Sequence, residues 1–229
     1  MKTVVIVSHP NIASSSTQQF LREAAAEPNV TWHVPTDQPL DIPAEQALIR
    51  DADRLIFQFP LYWYSAPASL KAWEDTVLTR SFDYPSVGGA LVGKELGLVI
   101  SLGQPAAHYT AGAPEQFSLS QLTTPYQALA HRLGMTWLPS FVVDQFGYQT
   151  ETEKMHLLVD YQRYLTQEPL THFSDQVNWT VRKLKAVSET QPDADQQKIG
   201  LVIDQISQNA ATLSDLQDTL ALLKDGGED

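Results

Sequence analysis

Three short stretches of this sequence concentrate side chains that can do chemistry. The first reads His9-Pro-Asn-Ile-Ala-Ser-Ser-Ser-Thr-Gln18. It is rich in hydroxyls and runs into a helical pattern. A helix N-terminus offers unpaired N–H groups and a partial positive charge, which together hold phosphate. The hydroxyls of Ser15, Ser16 and Thr17 would add donors. The same serines also serve as plain helix caps. The second stretch is Pro60-Leu61-Tyr62-Trp63-Tyr64. Three successive aromatics offer flat faces that suit a planar aromatic ligand, and equally a core or a subunit interface. The third runs Ser101-Leu102-Gly103-Gln104 and on to His108 and Tyr109. Gly103 permits close backbone approach, and His108 and Tyr109 can donate protons near a reacting centre.

These stretches need strands to carry them. Thr3–Ser8 is a nearly all-apolar, β-branched run, the mark of a strand buried on both faces. Val30–Val34, Leu55–Phe59, Leu96–Ser101 and Thr136–Val143 read as four more, the last broken by Pro139. Helical patterns fall between them. One runs from the Ser14–Ser16 cap to about Ala26, and another over Pro43–Asp51. A third is capped by Ser65, with Pro67 in its first turn, and ends at about Thr79. A fourth covers Ser118–Leu133, with Gly134 as its C-cap, and a fifth covers Glu151–Thr166. Strands alternating with helices predict an α/β fold, a five-stranded parallel sheet with helices on both faces. All three chemical stretches then lie at strand carboxyl ends, where such sheets bind ligands.

After about residue 168 the character changes. Of 14 prolines only Pro192 lies beyond residue 170, and of the aromatics only Phe173 and Trp179. Val177, Val181, Leu184 and Val187 mark one helix. Val202, Ile206, Leu213, Leu216, Leu220 and Leu223 mark a second of roughly 30 residues, interrupted at Asn209. Asp193 with Gln196 resembles a capping box at its start. We read residues 1–168 as one domain and 169–229 as a helical extension. That extension is either a hairpin on its own body or a coiled coil with a second subunit.

Composition narrows the function. The 229 residues contain no cysteine, which excludes disulfides, thiolate metal sites and cysteine nucleophiles. A net charge of −12 argues against nucleic acid or an anionic membrane surface as the main partner. The six histidines show no paired ligand spacing, so no metal site is expected, and His33, His131, His156 and His172 read as ordinary surface or helix residues. There is no G-x-S-x-G elbow, no G-x-G-x-x-G and no Walker motif. No signal peptide and no run of roughly 18 apolar residues is seen, so a cytoplasmic location is expected.

The segment Gln58-Phe-Pro-Leu-Tyr-Trp-Tyr-Ser-Ala-Pro-Ala-Ser-Leu-Lys-Ala-Trp-Glu-Asp-Thr-Val77, followed by Phe82-Asp-Tyr84, carries a resemblance, and His9-Pro10 supports it. Together they resemble the flavodoxin-like NAD(P)H:quinone oxidoreductase family. That family includes the ancillary subunits of glutathione-gated potassium efflux systems. The resemblance covers roughly residues 1–168. It implies strand order 2-1-3-4-5, a homodimer, and bound FMN, with FAD as the alternative. His9 and Ser15–Gln18 would hold the phosphate and ribityl chain. Pro60–Tyr64 would line the isoalloxazine edge, and Ser101–Gln104 its pyrimidine side. Tyr109, with His108, would stand at the substrate. The implied activity is ping-pong reduction of quinone-like acceptors by NAD(P)H. The alternatives are an ancillary transporter subunit with residual reductase activity and a flavin-free interaction protein. Two departures stand out. Relatives commonly carry Thr-Thr-Gly-Gly where this chain has Ser101-Leu-Gly-Gln104. The relay histidine that some relatives place five or six residues after the tyrosine is replaced by Pro114 and Glu115.

Overall fold

The computed structural model describes residues 1–35, 39–84, 86, 89–167 and 172–225, with side chains 218 and 221–225 excepted. Strand β1 (Thr3–Val7) is buried at every position, as its apolar β-branched sequence requires. It pairs in parallel with β2 (Val30–His33) on one side and β3 (Arg54–Pro60) on the other. β3 pairs with β4 (Glu95–Leu102), giving the order 2-1-3-4-5.

The fifth position holds two strands rather than one. β5 (Thr136–Trp137) pairs with the start of β4, and β6 (Phe141–Asp144) with its end. Proline lacks the N–H a ladder needs, so the run breaks around Pro139 and resumes two residues later.

Alternation along the strands sends side chains to two helical layers. Val4, Ile6, Leu55, Phe57, Phe59, Leu96, Leu98 and Ile100 share one core cluster with Ile49, Leu70, Trp73, Val77 and Leu133. Those five come from α2 (Ile42–Arg50), α3 (Ala68–Val77) and α6 (Thr124–Leu133). The other face meets α7 (Glu151–Thr166), which packs on α1 (Ser16–Ala24). Its Tyr161 hydroxyl donates to Gln58 Oε1 at 2.6 Å, and the Thr3 hydroxyl donates to the Leu165 carbonyl at 2.7 Å. The fully buried Arg54 pairs with Glu95 at 2.6 Å, its neighbour in the β3–β4 register, and also donates to the Tyr164 carbonyl.

Several boundaries differ from expectation. Residues Ile12–Ser14 form a separate 3-10 turn, and Ser15 is the cap of α1. α3 starts at Ala68 with Pro67 in the cap position, because Ser65 is held in a turn with Tyr62. A short α4 (Arg80–Asp83) follows it. The helix read as Ser118–Leu133 is broken at Thr123 into α5 (Leu119–Leu122) and α6, with Pro125 in the first turn of α6 and Gly134 closing it at φ +70°. His33 is no idle surface group. Its Nε2 meets Glu45 at 2.8 Å, and Glu45 also accepts from Trp73 Nε1, so one carboxylate ties β2, α2 and α3.

The chain divides into two compact units, Met1–Thr166 and Gln167–Asp229. In the second, α8 (Phe173–Ser188) and α9 (Asp193–Asp225) are joined by four residues and pack on each other as a hairpin. Asp193 lies inside the first turn of α9, and the Gln196 side chain donates to the Gln191 carbonyl, so the expected capping box does not form. Among the described residues no helix is long and apolar enough to cross a membrane.

Candidate functional site at the strand carboxyl ends

Strand order reverses at β1, which has β2 on one side and β3 on the other. That reversal opens a crevice at the carboxyl ends, the usual ligand position in such sheets. Val7 is level with Gln58, and Pro60 with Ser101, so all three candidate loops leave the same edge. Direct contacts join them. The His9 and Tyr62 rings lie 6.4 Å apart, the Leu61 N–H donates to the Ser101 carbonyl at 3.0 Å, and the Tyr64 hydroxyl donates to Glu115 at 2.9 Å.

In the first loop the Ser8 and Ser69 hydroxyls are 2.7 Å apart, pinning the loop to the start of α3. His9 Nδ1 accepts from the Asn11 N–H at 3.0 Å, and burial holds the imidazole below its ordinary pKa, so the ring is neutral. Ser15 Oγ accepts from the Gln18 N–H as the cap of α1. Ser16 is exposed and Thr17 half-buried in the first turn, whose N–H groups have no partner within the helix. Gln18 is buried. Its Oε1 accepts from Gln58 at 2.6 Å, which leaves Gln18 Nε2 a buried donor with no partner among the described residues. An unsatisfied buried donor is costly and needs a reason.

The second loop stores strain. Pro60 is buried and Leu61 half-buried against the core. Tyr62 and Ser65 exchange backbone hydrogen bonds at 2.9 and 3.0 Å across a two-residue turn. Its central residues, Trp63 and Tyr64, have φ of 48° and 63°. Bulky side chains rarely adopt this region, and such strain persists where surroundings impose it. The turn presents the Trp63 ring 95% exposed.

In the third loop Leu102 is buried and its carbonyl accepts from the Gln145 N–H, while Gly103 and Gln104 are exposed. A side chain at Gly103 would meet nothing within 4 Å, so the backbone there is open to a ligand. Tyr109 packs on the core, and burial with the nearby Glu115 raises its pKa. The hydroxyl of Tyr109 and the ring of His108 have no protein hydrogen bond among the described residues.

Sequence reasoning missed three supports. Glu115 accepts from Tyr64 and raises that phenol's pKa through the hydrogen bond and its charge. Asp144, at the end of β6, accepts from the Ala106 N–H at 2.7 Å and fixes the third loop. Gln58 links Gln18 to Tyr161 beneath the crevice. An acid at a strand terminus and an amide inside an apolar strand were the available signals.

The family model described as having a flavodoxin-like fold matches residues 1–167. The chain belongs to this flavodoxin-like family. Among curated members, it is 48% identical over 146 residues to the uncharacterized NAD(P)H oxidoreductase YdeQ of Bacillus subtilis, covering 62% of this chain and 74% of that one. It is 35% identical over 175 residues to the glutathione-regulated potassium-efflux system ancillary protein KefG of Cronobacter sakazakii, covering 74% and 95%. Two solved family structures share the fold closely. The NADPH-quinone reductase of P. pentosaceus has TM-score 0.69 and 45% identity, covering 72% of this chain and 98% of that one. General stress protein 14 of Treponema denticola, solved in complex with FMN, has TM-score 0.65 and 32% identity over the same shares.

Proposed function

We propose that this chain is an FMN-dependent NAD(P)H oxidoreductase that reduces quinone-like small aromatic acceptors. The observation that carries this is the crevice at β1/β3, where a helix N-terminus, an orphaned buried donor and a strained aromatic turn converge. The similarity to an NADPH-quinone reductase and to an FMN complex supports it. FAD is the alternative flavin.

The residues fit such a group. Ser15–Thr17 and the α1 N-terminus would hold the phosphate, and Gln18 Nε2 would find its missing acceptor on the ligand. His9, neutral and oriented by Asn11, would close the mouth. The backbone of Pro60–Tyr64, with its forced left-handed turn, would bound the ring edge, and the open backbone at Ser101–Gln104 would donate to its pyrimidine side. When bound, the flavin supplies the two-electron chemistry, taking hydride from NAD(P)H and passing it to the acceptor. Tyr109 would hold the acceptor oxygen through its free hydroxyl, with His108 nearby. Its raised pKa keeps it a proton donor at neutral pH. The Tyr64–Glu115 bond would hold the aromatic wall in place.

The proposed assembly is a homodimer, and the proposed location is the cytoplasm. A second reading, an ancillary subunit of a potassium efflux system, is favoured by the KefG likeness alone. Steady-state kinetics tests the first reading. Parallel double-reciprocal lines for NADPH and a quinone support the reductase. Failure to take up FMN on titration refutes both flavin readings.

A further inference from the structure

The long helix α9 outruns its partner. α8 has 16 residues and α9 has 33, so about half of α9 extends past the hairpin. Exposure records where cover ends. Ile199, Ile203, Ile206 and Ala210 are half-buried, at the spacing of one face turned to α8. From Ala211 on, every described side chain is exposed. Yet the apolar pattern continues. Leu213, Leu216 and Leu220 repeat at intervals of three and four, and Leu216 is 57% exposed. At the end of the covered stretch, Asn209 is occupied by a 2.9 Å hydrogen bond from the Gln205 side chain.

We propose that residues 211–225 of α9 pair with the same segment of a second copy. The two segments run antiparallel about a twofold axis near Leu216, with Leu213 of one against Leu220 of the partner subunit. Three observations select this occupant. First, the leucines continue the stripe of Val202 and Ile206 at alternating intervals of four and three, the spacing of a seam between paired helices, and this seam lies beside the face turned to α8, since Val202 is itself 50% exposed. A second α9 entering antiparallel lies along this seam with the two α8 helices at opposite ends, and each copy receives the cover it gives, the self-complementary contact that closes a dimer. Second, the residues flanking the stripe, Thr212, Ser214, Gln217 and Thr219, are uncharged, while Asp204 and Asp215 lie off it. A chain of net charge −12 therefore brings two copies together here without opposing carboxylates. Third, the overhang is about 22 Å long, short for a free-standing pair of helices. Here each helix is already nucleated within a hairpin, so pairing need supply only the packing. A lipid surface is the poorer fit, because interfacial helices carry Lys and Arg on their polar face, and this segment has three Asp and one Lys. The inference stands independently of the redox reading.

The cysteine-free chain makes the test clean. Single cysteines are introduced into the full-length protein and mildly oxidised. Leu216→Cys should give a covalent dimer. Leu213→Cys alone should give little, and an equal mixture of Leu213→Cys and Leu220→Cys should give a mixed dimer. Asp204→Cys is the exposed control and should stay monomeric on the gel. Leu213→Asp/Leu216→Asp should lower the assembly mass by light scattering while far-UV circular dichroism keeps its helix signal. The proposal is overturned if Leu216→Cys cross-links no better than the control. It is equally overturned if Leu213→Cys self-links as well as the mixture, which means parallel pairing, or if the double variant keeps the wild-type mass. Wild-type protein that stays unassociated but floats with phosphatidylserine vesicles overturns it in favour of a membrane surface.

Discussion

At the scale of single residues, the account rests on side chains held where they are uncomfortable. Trp63 and Tyr64 occupy left-handed backbone positions that glycine or asparagine would fill more cheaply. Replacing both with alanine should weaken FMN binding about tenfold or more, since ring contacts are worth roughly 0.5–1.5 kcal/mol each. Fluorescence titration measures it, and unchanged affinity would remove the second loop from the ring site. Asp83 is a different discomfort. Its carboxylate is buried, neither oxygen has a hydrogen-bond partner among the described residues, and burial pushes its pKa from 3.8 up to about 7. Between those two values the folded protein keeps a proton that the unfolded chain has released. Stability from this group is therefore full below pH 3.8 and falls as pH rises towards 7. The stability of Asp83→Asn relative to wild type should improve across that window, by an amount on the order of 1–3 kcal/mol. Denaturant melts at several pH values decide it, and a gap independent of pH would contradict the assignment. The loop residues were legible because each stretch is local in sequence. Glu115 and Asp144 were not, because their partners Tyr64 and Ala106 lie 51 and 38 positions away.

At the scale of elements, parallel strands brought the three loops together, and their apolar runs made them readable. The misreadings came where a side chain overrode the pattern. Thr123 ends α5 before Pro125 opens α6, and Ser65 is drawn into the Tyr62 turn rather than capping α3, whereas the break at Pro139 was legible. Gly97, mid-strand in β4, could be read only as a weakness in that strand. The structure gives its reason, since the Tyr164 hydroxyl occupies the space a Cβ would need and Ile56 crowds it at 2.9 Å. Gly97→Ala should cost about 1–3 kcal/mol through overpacking. Thermal unfolding should show a drop of roughly 2–4 °C per kcal/mol. An unchanged melting temperature would mean that α7 packs more loosely on this face than the structure has it.

At the scale of the whole molecule, 229 residues resolve into a family fold and a helical hairpin. The change of composition near residue 170 made the division visible. What the long helix meets was not visible, because an apolar stripe states that a partner exists without saying which. The loops of the candidate site all spring from the sheet in Met1–Thr166, which has its own core. A chain ending near residue 170 should therefore bind FMN with affinity close to that of the full protein, and complete loss of binding would put the hairpin in the site. The absence of cysteine costs the proposed chemistry nothing, because the electrons would travel through the flavin. That proposal has one direct test. The purified protein, loaded with FMN under anaerobic conditions, is mixed with NADPH in a stopped-flow spectrophotometer and then with a quinone. We predict bleaching of the flavin band by NADPH and its full return on adding quinone, with the flavin still bound. A flavin band that NADPH leaves unchanged, or protein that retains no FMN, would contradict the account.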